Sequence, residues 1–83
     1  MRVSIRYFAS IREAIGVSGE SVETGALTLG DLRDELIVRG AGYGASLARG
    51  RAVRVALDQV MSDESATLPD GAEVAFFPPV TGG

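Results

Sequence analysis

Two segments at opposite ends of the chain share a two-residue rhythm, and that rhythm limits the possible folds. In Arg2-Val3-Ser4-Ile5-Arg6-Tyr7-Phe8, the residues Val3, Ile5 and Tyr7 point one way and Arg2, Ser4, Arg6 and Phe8 the other. In the stretch 73–77, Val74 and Phe76 share one face while Glu73, Ala75 and Phe77 share the other. Period-two alternation is the signature of a half-buried strand. A helical crossover between the first and last strands allows them to pair in parallel. Phe8 and Phe77 break the pattern, because each is a large ring on a face otherwise occupied by polar or small residues. Each also stands at the C-terminal end of its strand.

Between these strands the punctuation is regular. Ser10 and Glu13 have capping-box spacing, predicting a short helix that begins at Ser10 and ends at Gly16. Ser21-Val22-Glu23-Thr24 reads as a short strand. Thr28 is an N-cap for the main helix, with Asp31 and Asp34 near its positive end, Leu29, Leu32 and Leu36 on one face, and Gly40 as its stop. Residues 40–50 are glycine-rich and read as a plain loop with a turn of helix at 45–49. Their Gly40-x-Gly42-x-Gly44 spacing follows a helix, whereas a dinucleotide fingerprint follows a strand. Val53, Val55 and Leu57 predict another strand, and Asp58-Gln59 turns it into a short partner opening at Val60-Met61. Leu68-Pro69-Asp70-Gly71 is a turn.

With 83 residues there is one core and no room for a second domain. Hydrophobic residues make up 46%, which argues against disorder. The chain contains no cysteine, no histidine and no lysine; all eight basic residues are arginine. That excludes a Ser-His-Asp triad, a Cys-His pair, a redox CxxC, a Schiff-base lysine and a Walker A lysine. A self-contained enzyme is therefore not expected. Net charge is −3, which disfavours nucleic acid and anionic membranes as partners. No apolar run approaches the roughly 20 residues of a membrane span, and the N-terminus lacks the apolar core of a signal peptide, so a cytoplasmic location is expected. There are no internal repeats and no linker. The order of elements predicts an α+β fold, a mixed sheet with one main helix across one face.

The last strand feeds Pro78-Pro79, which ends the ladder because proline has no N–H to give it. The tail Val80-Thr81-Gly82-Gly83 follows, so the expected organisation is one domain over 1–79 with a flexible tail over 80–83. An extended Pro-Pro spacer projects such a tail, putting its end roughly 20 Å beyond the sheet. Glycines without side chains can thread a narrow channel in another protein.

Asp70-Gly71-Ala72-Glu73-Val74-Ala75-Phe76-Phe77-Pro78-Pro79-Val80-Thr81-Gly82-Gly83 resembles the C-terminus of the molybdopterin synthase small subunits, sulfur carriers of the ubiquitin-like β-grasp family. Tyr7-Phe8-Ala9-Ser10-Ile11-Arg12-Glu13-Ala14-Ile15-Gly16 resembles that family's opening; residues 38–52 carry no family motif. The resemblance implies a β-grasp fold and a non-catalytic carrier that completes an active site in trans. It also implies an E1-like adenylating enzyme that uses ATP with magnesium on the Gly83 carboxylate, a sulfur donor protein, and conversion of Gly83 to a thiocarboxylate. The synthase large subunit would then receive the tail and pass its sulfur to the pyranopterin precursor of molybdenum cofactor. The chain itself would bind no cofactor and no metal. Gly82 and Gly83 are the reacting end; Phe8, Val60, Phe77, Pro78, Pro79, Val80 and Thr81 are the expected partner contacts. A sulfur carrier for thiazole synthesis, a ubiquitin-like protein modifier and an inert interaction domain are the alternatives.

Overall fold

The structure, a computed structural model, describes residues 1–79. The strands are β1 (Arg2–Tyr7), β2 (Gly19–Glu23), β3 (Arg54–Leu57), β4 (Val60–Ser62) and β5 (Glu73–Phe77), and the helices are α1 (Ala9–Ile15), α2 (Leu29–Ile37) and α3 (Ala41–Leu47). The strands form one mixed sheet in the order β2-β1-β5-β3-β4. The end strands pair in parallel, as expected, with Ile5 opposite Val74 and Tyr7 opposite Phe76. The alternation sorts the sheet into an inner face of Val3, Ile5, Tyr7, Val55, Val74 and Phe76, all buried, and an outer face of mostly polar, exposed or half-buried residues. Among the outer-face residues of β1, β5, β3 and β4 only the small Ala56 is buried. Leu29, Leu32 and Leu36 of α2 pack in the same core as that inner face.

Local signals are borne out unevenly. Thr28 caps α2, its hydroxyl accepting from the Asp31 N–H at 3.1 Å. Gly16 ends α1 in the left-handed conformation, φ 95°, and its N–H donates to the Arg12 carbonyl. The capping box at Ser10 and Glu13 does not form. Phe8 continues the ladder by donating its N–H to the Phe76 carbonyl at 3.1 Å, and its own carbonyl accepts from Ile11 and Arg12. The chain thus passes from strand to helix at Phe8, which is the N-cap, and Ser10 falls inside the first turn. The second strand begins at Gly19, two residues before Ser21.

The largest correction is α3. Residues 40–50 were expected as a loop with a turn of helix only at 45–49, whereas the helix runs over Ala41–Leu47, despite the low helix propensity of glycine. The reason is a close approach: a Cβ on Gly42 would lie 1.8 Å from the Ala14 carbonyl oxygen, so only glycine lets α3 lie against α1. A buried arginine on α2 then holds the far end of α3. Arg33 is 3% exposed and donates to the carbonyls of Leu47 (2.7 Å), Ala48 (2.7 Å) and Arg51 (3.0 Å), while pairing with Glu64 at 2.8 Å. It satisfies the carbonyls that the end of a helix leaves open.

Candidate functional site

Parallel pairing of β1 with β5 fixes the geometry at the exit of the chain from the sheet. Because Tyr7 and Phe76 are register partners on the inner face, Phe8 and Phe77 emerge together on the outer face. Their rings meet edge to face, centroids 6.3 Å apart at 87°, an arrangement that aligns the positive edge of one ring with the negative face of the other. Phe8 is 41% exposed and Phe77 is half-buried. Beside them lies an open depression of about 480 Å³ whose lining includes Arg6, Phe8, Met61, Ala75 and Phe77.

Val60 was expected to join this pair, and the hairpin places it elsewhere. Asp58 and Gln59 both take positive φ, 49° and 70°, making a two-residue turn that sets Val60 opposite Leu57. Leu57 in turn pairs with Val74 of the inner face. Val60, though exposed, therefore belongs to the inner side of the sheet's edge. Met61, opposite Ala56 and through it Ala75, is the β4 residue that faces the aromatic pair. A slip of one residue exchanges the two faces of a strand, and the turn length decides which residue is delivered. Asp58 locks that turn, its N–H donating to the Glu73 carbonyl at 2.8 Å and its Oδ1 accepting from the Glu73 N–H at 2.9 Å.

Pro78 and Pro79 lie beyond the end of β5, half-buried. Pro78 contributes to a cleft of about 250 Å³ between α1 and α3, together with Ile11, Ala14, Ala45 and Arg51. The expected partner contacts Val80 and Thr81 and the reacting residues Gly82 and Gly83 lie outside the described residues.

Behind the aromatic pair the sheet end is held firmly. Tyr7 stacks on Phe76 with centroids 6.5 Å apart, and its hydroxyl donates to Glu20 Oε2 at 2.8 Å. Tyr43 of α3 donates to the same oxygen at 2.6 Å, and Arg39 pairs with Oε1 at 3.0 Å. Burial pushes the Tyr7 phenol well above the usual range, reinforced by the hydrogen bond and charge of Glu20. Burial pushes Glu20 upward too, but hydrogen bonds from Tyr43, Tyr7 and Arg39 outweigh it and hold the carboxyl below its ordinary value. Sequence reasoning missed Glu20, Tyr43 and Met61.

No group of three or more acidic side chains is placed to hold a metal ion among the described residues, and the sequence has no His or Cys to contribute. No helix of the described residues is long and apolar enough to cross a membrane. What the arrangement offers is a firm apolar platform at the root of the tail, suited to docking.

The chain matches the ThiS family over residues 5–83. It belongs to that family. The molybdopterin synthase sulfur carrier subunit of Haemophilus influenzae is 35% identical to this ThiS-family chain, over 98% of it and 99% of that protein. Among solved structures, SAMP1 from Haloferax volcanii superposes with a TM-score of 0.79 at 25% identity, covering all of both chains. A chain from the complex of subunits 1 and 2 of molybdopterin-converting factor from Helicobacter pylori superposes at 0.69 with 28% identity, again covering all of both. The mixed sheet with α2 across its inner face is the ubiquitin-like β-grasp arrangement of these neighbours.

Proposed function

We propose that this ThiS-family chain is the sulfur-carrier subunit of molybdopterin synthase, docking through its aromatic platform while its tail enters the partner's active site. The observation that supports this reading most is the Phe8–Phe77 pair, which puts exposed apolar surface at the root of a Pro-Pro-x-x-Gly-Gly tail. The relative from Haemophilus influenzae is named for that role, and the Helicobacter pylori neighbour was solved in complex with a second subunit.

The chemistry explains why partners are required. An α-carboxylate has a pKa near 3.5, so at neutral pH Gly83 is an anion and a poor electrophile. In the adenylating enzyme, a Gly83 oxygen attacks the α-phosphorus of ATP, held with magnesium, and pyrophosphate leaves. Hydrosulfide equivalents from a sulfur donor protein add to the acyl carbon and AMP departs, exchanging one oxygen for sulfur. In the large subunit that sulfur adds to an electrophilic carbon of the pyranopterin precursor. Water attacking the acyl carbon then breaks the acyl–sulfur bond, leaving the sulfur on the precursor and restoring the Gly83 carboxylate. Through this cycle the chain serves as carried electrophile and then carried nucleophile, with all catalysis in its partners.

The test is intact mass spectrometry after incubation with the adenylating enzyme, ATP, magnesium and a sulfur source. The C-terminal peptide should gain the mass difference between sulfur and oxygen, and adding the large subunit with its pterin substrate should reverse it. Reversal by a thiazole synthase instead would assign the carrier to thiazole synthesis, and conjugates on lysines of other proteins would make it a modifier. An unchanged mass with a demonstrably active adenylating enzyme overturns the reading.

A further inference from the structure

The net charge of −3 hides an uneven distribution. Arg2, Arg33, Arg39 and Arg49 each make an ion pair, with Glu23, Glu64, Glu20 and Asp34 respectively. The other four arginines, Arg6, Arg12, Arg51 and Arg54, make none among the described residues, and all four are exposed. These four gather around the root of the tail. Arg54 is the register partner of Phe77. Arg6 is the partner of Ala75 and lines the depression with Phe8 and Phe77. Arg51 shares the cleft with Pro78, and Arg12 lies on α1, the helix that Phe8 opens.

The acidic groups nearby leave this rim unneutralised. Asp63 and Glu64 share a surface depression with Arg54, Glu20 and Glu73 share one with Arg6, and Glu13 follows Arg12. None of them reaches ion-pair distance of these four arginines, and Glu64 and Glu20 are taken up by other arginines. Paired arginines elsewhere show that this chain builds ion pairs where the fold uses them. Keeping like charges close together with no counter-charge gives the domain nothing by itself, because self-repulsion only weakens a compact state.

We propose that Arg6 and Arg54, backed by Arg12 and Arg51, form a basic rim that docks an acidic protein surface, one with carboxylates arranged around an apolar socket for Phe8 and Phe77. The guanidinium fork binds a carboxylate bidentately, which fixes orientation as well as sign. A basic rim on an otherwise acidic molecule also orients the encounter, since only this end is attracted to an acidic partner and the tail arrives first. The proposal rests on the carrier reading, in which the large subunit is such a partner.

Association kinetics with the molybdopterin synthase large subunit of the same organism, measured across a salt series, provide the test. Wild-type association should slow as salt rises. The double variant Arg6→Glu/Arg54→Glu should associate about tenfold more slowly at low salt and lose most of the salt dependence, with dissociation little changed. Arg6→Lys/Arg54→Lys should keep most of the rate, because the charge remains. Arg6→Gln/Arg54→Gln should fall between, and takes the place of the reversal if thermal melts show the latter misfolded. Arg2→Glu, at the other end of β1, changes net charge as much as the single variant Arg6→Glu does, and should leave the rate near wild type where Arg6→Glu slows it. A double variant as fast as wild type, an equal slowing by Arg2→Glu, or a salt-independent wild-type rate overturns the basic rim while leaving the carrier reading intact. Failure of the wild-type chain to bind the large subunit at all overturns both.

Discussion

Phe77 sits edge to face against Phe8 at 6.3 Å, one residue beyond the inner-face stack of Tyr7 on Phe76 at 6.5 Å. Adjacent residues of one strand thus serve opposite sides of the sheet, one buried and holding the domain together and the next half-buried on the outer face at the root of the tail. Phe76→Ala should cost about 3–5 kcal/mol of folding stability, because Phe76 is completely buried. Phe77→Ala should leave the domain nearly as stable but weaken binding to the large subunit by about 2 kcal/mol or more. Denaturant melts of both variants, beside equilibrium binding, check this. An early melt for Phe77→Ala with a normal one for Phe76→Ala would reverse the assignment of the two faces.

Met61 and Val60 make a second adjacent pair with opposite roles. Both are exposed, but only Met61 lines the depression beside Phe8 and Phe77. Met61→Asp should weaken binding by roughly tenfold or more, as a charge brought into an apolar contact does. Val60→Asp should change it by no more than about twofold, since surface substitutions away from a contact are usually near neutral. Equal losses would extend the docking surface around the edge strand.

Arg33 is predicted to be the most sensitive charged residue for stability. Arg33→Ala leaves the Leu47, Ala48 and Arg51 carbonyls without its donors and Glu64 without that partner. Breaking such a network should cost about 3 kcal/mol or more. Arg33→Lys should recover little of the loss, because one ammonium cannot reproduce a planar fork spanning three carbonyls. Chemical denaturation gives the two differences directly. Near-wild-type stability in Arg33→Ala would mean that α3 does not depend on this arginine.

What was legible in the sequence follows from how local each cause is. Strand faces repeat every two residues, so the inner set and the emergence of Phe8 beside Phe77 could be read from residues 2–8 and 73–77 alone. The turn at Asp58-Gln59 was visible, but the face of Val60 depended on its two left-handed residues, and neither is glycine. Helix α3 was hidden because its cause lies in α1, where Ala14 leaves no room for a side chain at position 42. Arg33 did leave a signal. It stands four residues after Leu29 and three before Leu36, on the apolar stripe of α2, where an arginine must find buried acceptors. The tail motif was legible as chemistry although residues 80–83 lie outside the described structure.

Glu20 links the stability of the platform to pH. Its folded-state pKa lies below the ordinary carboxylate value, because hydrogen bonds from Tyr43, Tyr7 and Arg39 overcome the opposing effect of burial. A depressed carboxylate pKa stabilises the fold fully above the unfolded value of about 4.3, and that contribution disappears as pH falls through the folded value. Wild-type stability should therefore decline, as pH falls below about 5, more steeply than that of Glu20→Gln, which has no proton to gain at this site. Asp34, held low by Arg49, keeps its own acid dependence in both chains, so the difference between the chains isolates Glu20. At neutral pH Glu20→Gln should be less stable by about 1–3 kcal/mol, having exchanged a charged acceptor for an amide. Denaturant midpoints measured across the pH series should converge toward acid. Parallel curves would show that the Glu20 carboxylate, for all its partners, does not anchor Tyr7 and Tyr43 through its charge.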